Sequence, residues 1–434
     1  MKGSKRRGYA DLKARMKGSK RRGYADLKAR RYIGILLLSA LAVLFAAVGC
    51  MTDDKTKDTL SDLCIFHTRN DGTPVKTMLS SAKTTAVCVD PLCSHGLECP
   101  FANAHGMGDL DGLAIDNLYC FVSGSASVDG DTGEHFGECS LCVYDMTDGS
   151  LRMLESYPDS IFFLAGYSPY VYYAVADYRE EDGNVSYGYS LYRANVESGA
   201  VMELPLTRAY STENHMSTGD FPSVYAFEND RILWYAPGED GIEFYTTDLA
   251  GHDRQQLPID DPHVMNGAYS DGWAYYTIRN HDLPAPSDGE LGRLKFQNEN
   301  SLYRYSFDTG ESKLLADNVA QYIVTEDGIF FTIMEPTPSS FEWNGITYYD
   351  LYAGKIYRMT ADGSDPTLFC TLDGIDISVY SSVFLGYHGG YLALAYREKI
   401  ENKWYDSGYD YNTATEIIVV DTRNQTWKIS TDET

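Results

Sequence analysis

A turn dipeptide running straight into an apolar strand recurs six times along this chain, and no other feature narrows the fold as much. The instances are Asp116-Asn117 before LYCFV, Ser168-Pro169 before YVYYAV, Asn229-Asp230 before RILWYA, Asp271-Gly272 before WAYYTI, Asp327-Gly328 before IFFTI and Gly389-Gly390 before YLALAY. Each is followed by a second pattern of strand, polar turn and strand: LCVYDMTDGSLRML, LYRANVESGAVMEL, FYTTDLAGHDRQQL, LYRYSFDTGESKLL, IYRMTADGSDPTLF and IIVVDTRNQTWKIS. The turns at Asp148-Gly149, Ser198-Gly199, Ala250-Gly251, Thr309-Gly310 and Asp362-Gly363 suit hairpins, because glycine accepts positive φ.

Four β-branched and aromatic strands per unit, with almost no helical periodicity, predict an all-β chain: a β-propeller of four-stranded antiparallel blades. Packing between blades covers both faces of each sheet, which explains strands that read as apolar runs instead of alternating. Tyrosine is abundant, 35 in the chain, and its ring suits the space between blades while its hydroxyl reaches the wet edge. Six full units span about 109 to 430. Ahead of them LCIFHTR, PVKTML and TTAVCVD predict three more strands. The expected count is seven blades with an incomplete first one; it is six if those strands only cap the outside. A ring needs closure between first and last blades, and the sequence does not show which strand supplies it.

The first fifty residues speak for location. Residues 1 to 15 recur letter for letter as 16 to 30, and an apolar run then leads from Tyr32 to Val48 and into Ala47-Val48-Gly49-Cys50. A basic stretch, an apolar stretch and small residues before a cut describe an export signal. The ending resembles the lipobox of bacterial lipoproteins, with Ala47 where leucine is usual. That resemblance makes Cys50 the lipidated first residue of a mature chain outside the cytoplasmic membrane, 50–61 a tether and 62–434 a single propeller domain. An uncleaved single-span anchor is the alternative. Beyond Gly49 the chain keeps 23 of its 36 basic and 60 of its 62 acidic residues, a formal net charge of −37. Such a body repels nucleic acid, which excludes a phosphate-tracking role.

The lipobox, the repeats LYRYSFDTG and LYRANVESG, and the string CVDPLCSHGLECPF (88–101) together resemble a group of β-propeller lipoproteins from anaerobic Gram-positive bacteria. Those are related at repeat level to LDL-receptor-like and TolB-like propellers. The resemblance implies a fold and an address, and no reaction.

In that string Cys88, Cys93, His95 and Cys99 are spaced C-x4-C-x-H-x3-C. Three sulfurs and an imidazole are the donors of a closed, structural zinc site, the one cofactor the sequence suggests. Disulfides and reduced packing remain open, since exported chains form bridges and eight cysteines follow Cys50. A hairpin centred on Asp131 would set Cys120 directly opposite Cys142, offering a second bridge.

Enzyme signatures are missing: there is no H-E-x-x-H, P-loop, G-x-S-x-G or dinucleotide fingerprint, and Ser80-Ser81-Ala82-Lys83 matches S-x-x-K without its companion motifs. Three inserts, 176 to 189, 335 to 352 and 396 to 412, combine aromatic and charged residues. All fall between the second and third strands of their units and should emerge on one face of the ring. They define an expected binding face of Tyr178, Trp343, Tyr348, Tyr349, Trp404, Tyr405 and Tyr409 for an unknown protein or carbohydrate, the plain alternative being long hairpin ends. The function expected is a membrane-anchored binding module without catalysis. A propeller enzyme acting on glycans or peptides through its central channel, or an assembly scaffold, are the rivals.

Overall fold

The computed structural model describes residues 58 to 432 apart from 70–72, 94–98, 102–111, 129–134, 182–183, 207–221, 239–240, 258–263, 280–299, 334, 344–345, 353, 374, 376–381 and 402–408. Thr59–Thr434 form one compact unit. Seven four-stranded sheets make up a seven-bladed propeller. Blade 2 is Gly112–Ile115, Leu118–Val128, His135–Asp145 and Leu151–Tyr157; blade 3 is Ile161–Tyr167, Tyr170–Glu181, Asn184–Asn195 and Val201–Glu203. Blade 4 is Ser223–Glu228, Arg231–Gly238, Gly241–Asp248 and Gln255–Gln256; blade 5 is Val264–Ser270, Trp273–Arg279, Asn300–Ser306 and Ser312–Ala316. Blade 6 is Val319–Thr325, Gly328–Ile333, Lys355–Met359 and Thr367–Thr371; blade 7 is Ser382–His388, Tyr391–Glu401, Tyr409–Asp421 and Thr426–Ile429.

Blade 1 answers the question of closure. Its first three strands are Cys64–Thr68, Pro74–Met78 and Lys83–Ala86, and its fourth is the C-terminal Thr431–Asp432, laid parallel to the third. Lys83 Nζ donates to Thr431 Oγ1 at 3.0 Å, and Arg69 pairs with Asp432. Lys83, the lysine of the S-x-x-K match, therefore holds the closing strand.

One apolar cluster fills each of the seven seams between neighbouring blades. Successive side chains of a strand point to opposite faces, so Tyr173 packs toward blade 2 while Tyr172 packs toward blade 4. Both are fully buried, as are Ile232, Leu233, Trp234, Ile329 and Phe330. This is the physical reason the second strands carry unbroken apolar runs: neither face meets water.

The glycines of the outer hairpin turns do more than turn. Gly363, at φ +81°, would place a Cβ 2.6 Å from Leu315 Cδ2 on the fourth strand of the preceding blade, and one on Gly149 (φ +77°) would lie 3.2 Å from Val89 Cγ2. Glycine admits the backbone and lets the turn of one blade seat against the exit of the one before it. The only helix among the described residues is a single turn, Leu60–Leu63, held to blade 2 by Leu60 N–H on Asn117 Oδ1 at 3.0 Å.

Candidate functional site

The string 88–101 leaves the third strand of blade 1 and enters the seam with blade 2. Asp90-Pro91-Leu92-Cys93 turns the chain back: the Cys93 N–H donates to the Asp90 carbonyl at 3.1 Å and the Leu92 N–H to Asp90 Oδ1 at 2.9 Å. Proline after aspartate suits such a turn, because its fixed φ matches the second position. Val89 N–H donates to Tyr144 Oη at 3.0 Å, anchoring the string to blade 2. Phe101 packs against Tyr119, Phe121 and Tyr144 with ring centroids 5.8, 4.8 and 5.0 Å apart.

These contacts bring the sulfurs of Cys88, Cys93 and Cys99 within 4.8 Å of one another. Cys99 is buried and the other two are half-buried. Burial pushes the Cys99 thiol up to about 12, with the neighbouring Cys93 and Cys88 sulfurs adding to it against a backbone hydrogen bond at Phe101. Tyr144 is raised as well, first by burial and then by the thiols beside it. On the facing strand burial lowers the Lys76 ammonium, against the pull of the Cys64 and Cys88 sulfurs. The triad can hold a metal ion. His95, the fourth donor of the sequence pattern, lies outside the described residues.

The proposed bridge between Cys120 and Cys142 is overturned by register. Cys120 stands opposite Val143, and Cys142 opposite Phe121. Val128 pairs with His135, so an even number of residues lies between the paired ends and the hairpin centre falls after Asp131, not on it. The half-step sends the two sulfurs to opposite faces: Cys120 joins the seam with blade 3, and Cys142 the seam with blade 1. Both are free thiols, and burial raises each.

The aromatic inserts sit where their spacing places them, at the connection between second and third strands, but as continued ladder more than as loop. In blade 3 pairing runs without a break out to Asn184↔Glu181, with Tyr178 opposite Tyr187. In blade 7 it resumes past a bulge to Glu401↔Tyr409. Blade 6 instead gains a separate hairpin, Glu335–Trp343 with Ile346–Tyr352, in which Trp343 pairs with Ile346, Tyr348 with Phe341 and Tyr349 with Ser340. Trp404 and Tyr405 lie outside the described residues. Blade 2 has an equally long hairpin, Leu118–Val128 with His135–Asp145, which the expected binding face did not include. Its signal is the length of chain between LYCFV and LCVYD.

Sequence reasoning also missed what the arginine of the LYR repeats does. Arg193 Nη1 and Tyr172 Oη both donate to the Leu249 carbonyl of blade 4, at 2.8 and 2.9 Å. Two blades on, Arg304 Nη1 and Tyr275 Oη donate to the Ala361 carbonyl of blade 6, at 3.1 and 3.2 Å. Each guanidinium lies over the ring that opens its second strand, Tyr170 at 4.2 Å and Trp273 at 4.0 Å. The repeat thus encodes a latch between blades.

The class this architecture defines is the seven-bladed β-propeller. No protein-family model matches the chain, and no curated protein matches it. Solved structures do. An uncharacterized protein of Listeria monocytogenes EGD-e is similar with a TM-score of 0.43 at 11% identity, over 73% of this chain and 80% of that one. TolB from Acinetobacter baumannii is similar with a TM-score of 0.37 at 15% identity, over 74% of this chain and 64% of that one. A chain of the nidogen/laminin complex follows at 0.33 and 10% identity, over 71% and 92%. The likeness is one of fold.

Proposed function

We propose that this chain is a tethered binding module without catalysis, a propeller whose rim of elongated hairpins meets a protein or carbohydrate outside the cytoplasmic membrane while lipid on Cys50 holds it there. One observation carries the binding role. Blades 2, 3 and 7 extend their second and third strands to 11 to 13 residues, and blade 6 adds a hairpin of its own at the same connection. Packing of the ring itself does not call for that length; blade 4 manages with strands of 8 and 8 residues. Because blades share one orientation about the ring, their matching connections fall at one end. Tyr178, Trp343, Tyr348, Tyr349 and Tyr409 lie on these elements, and aromatic residues suit both sugar rings and protein surfaces. Support for the tether is the N-terminal sequence.

The full chain in detergent, applied to glycan and peptide arrays, tests the module. A retained class of ligand whose affinity falls about tenfold or more in the Tyr178→Ala, Tyr349→Ala double variant is the expected result. Undiminished binding by that variant, or conversion of the ligand to product, defeats the reading. Fatty-acid labelling should mark the chain and be abolished by Cys50→Ser.

A further inference from the structure

We propose that Cys88, Cys93 and Cys99 bind one soft divalent metal ion, zinc by its chemistry, as a clasp between blades 1 and 2. The inference is independent of the rim and stands whether or not the rim binds anything.

Three sulfurs lie within 4.8 Å of one another, with no carboxylate in the group. Around a tetrahedral zinc, sulfurs at about 2.3 Å from the metal stand about 3.8 Å apart, so the triad needs only a small contraction to become a ligand set. A disulfide draws two sulfurs to about 2.0 Å and leaves the third unpaired in an apolar seam. Thiolate-only donors select zinc and other soft ions over magnesium or calcium. Cys93 is half-buried and Cys99 is buried. Three thiolates on a divalent ion leave one negative charge, and the Lys76 ammonium interacts with Cys88 from the facing strand.

Position supplies the purpose. In blades 2 to 7 the third strand leads directly to a fourth strand of the same blade, and ladder hydrogen bonds fix the chain there. In blade 1 that place is taken by Thr431–Asp432; Val87 N–H still donates to the Pro74 carbonyl at 3.0 Å, and beyond it the chain does not form the blade's fourth strand. The string 88–101 is held by its own turn, by the Val89–Tyr144 hydrogen bond and by Phe101. A metal ligated at residues 88, 93 and 99 would pin both ends of it with one centre. His95 lies outside the described residues, so the three sulfurs carry the assignment.

The full chain, purified without a metal-affinity step, is tested by elemental analysis together with thiol counting before and after denaturation. About one equivalent of metal per chain is expected, lost in Cys93→Ser and Cys99→Ser and kept in the control Cys370→Ala. Cobalt exchanged into the wild-type chain should give thiolate-to-metal charge-transfer absorption, a readout that needs no variant to fold. Chelation should lower the melting temperature of the wild-type chain and leave that of Cys93→Ser unmoved. A metal-free, folded wild-type chain overturns the proposal, whether its three thiols are free or two of them are bridged. Metal that survives in both serine variants overturns it equally.

Discussion

The seam between blades 2 and 3 and the seam between blades 7 and 1 do the same job with different chemistry. Among the described residues the first buries thirteen side chains, including Tyr173, whose hydroxyl bonds Tyr157 at 2.9 Å and whose ring stacks on Tyr192. The second buries five, Leu79, Ala82, Ala393, Ile417 and Val419, with no aromatic among them. A small cavity opens there, lined by Leu79, Ser80, Ala82, Tyr391, Val419 and Asp421. The polar contacts that hold this end of the ring lie within blade 1 itself: the buried pair Thr77–Thr84 at 2.8 Å, the Lys83–Thr431 bond and the Arg69–Asp432 pair. Chain continuity explains the difference. Blades joined by a short connection meet at high effective concentration, whereas the two ends of the ring must find each other across the whole chain, and a short polar strand does so without exposing a sticky edge.

That contrast can be broken in order of size. Tyr173→Ala, which empties a ring-sized space in the richer seam, should cost about 3–5 kcal/mol in denaturant unfolding. A loss below about 1 kcal/mol would show that the seam relaxes around the void.

Acid should find the closing seam. His67 shares the blade 1 face of Ile65, which packs toward blade 7; its Nε2 meets Thr77 Oγ1 at 3.0 Å, and its buried Nδ1 has no hydrogen-bond partner among the described residues. Burial holds its pKa down to about 4, with Arg69 lowering it further and Asp432 opposing. The folded chain therefore keeps a neutral imidazole where the unfolded chain takes up a proton near its ordinary value. Its contribution is complete above about pH 6.5 and drains away as the pH falls toward 4, on the order of 2 kcal/mol after discounting for partial exposure. Unfolding free energies across that window should slope for wild type and flatten for His67→Gln; equal slopes would remove His67 from the account.

The smallest effect tests the closing strand itself. A chain ending at Ser430 loses the Thr431 N–H bond to the Ala82 carbonyl, the Lys83 contact and the Arg69 pair. About 1–2 kcal/mol is expected, since solvated pairs of this kind contribute little singly. Amide exchange should rise in blades 1 and 7 and stay level at the seam between blades 2 and 3. A uniform rise would mean that the ring unfolds as one unit and the seams do not differ in practice.

Much of this was legible beforehand. The DG-aromatic strands announce the second strand of a blade, and YVYYAV and IFFTI are buried on both faces as an unbroken apolar run implies. The string 88–101 showed a cluster of cysteines, and the structure brings the sulfurs of Cys88, Cys93 and Cys99 together. The bridge between Cys120 and Cys142 failed for a different reason. Spacing fixes which residues share a hairpin but not whether its loop is odd or even, and one residue of slip exchanges the two faces. The role of the arginine of LYR was not legible, because its partner is a carbonyl 56 residues away in another blade.

By itself the sequence determined the strand repeat, the expected first blade of three strands and the candidate sulfurs, because turn chemistry and apolar runs act over a few neighbouring residues. Only the tertiary structure decided that Thr431–Asp432 closes blade 1, that Cys88, Cys93 and Cys99 meet in a seam, and that Cys120 and Cys142 part company. Those outcomes depend on which distant segments pair and in what register, and that choice is made by the packing of the whole ring.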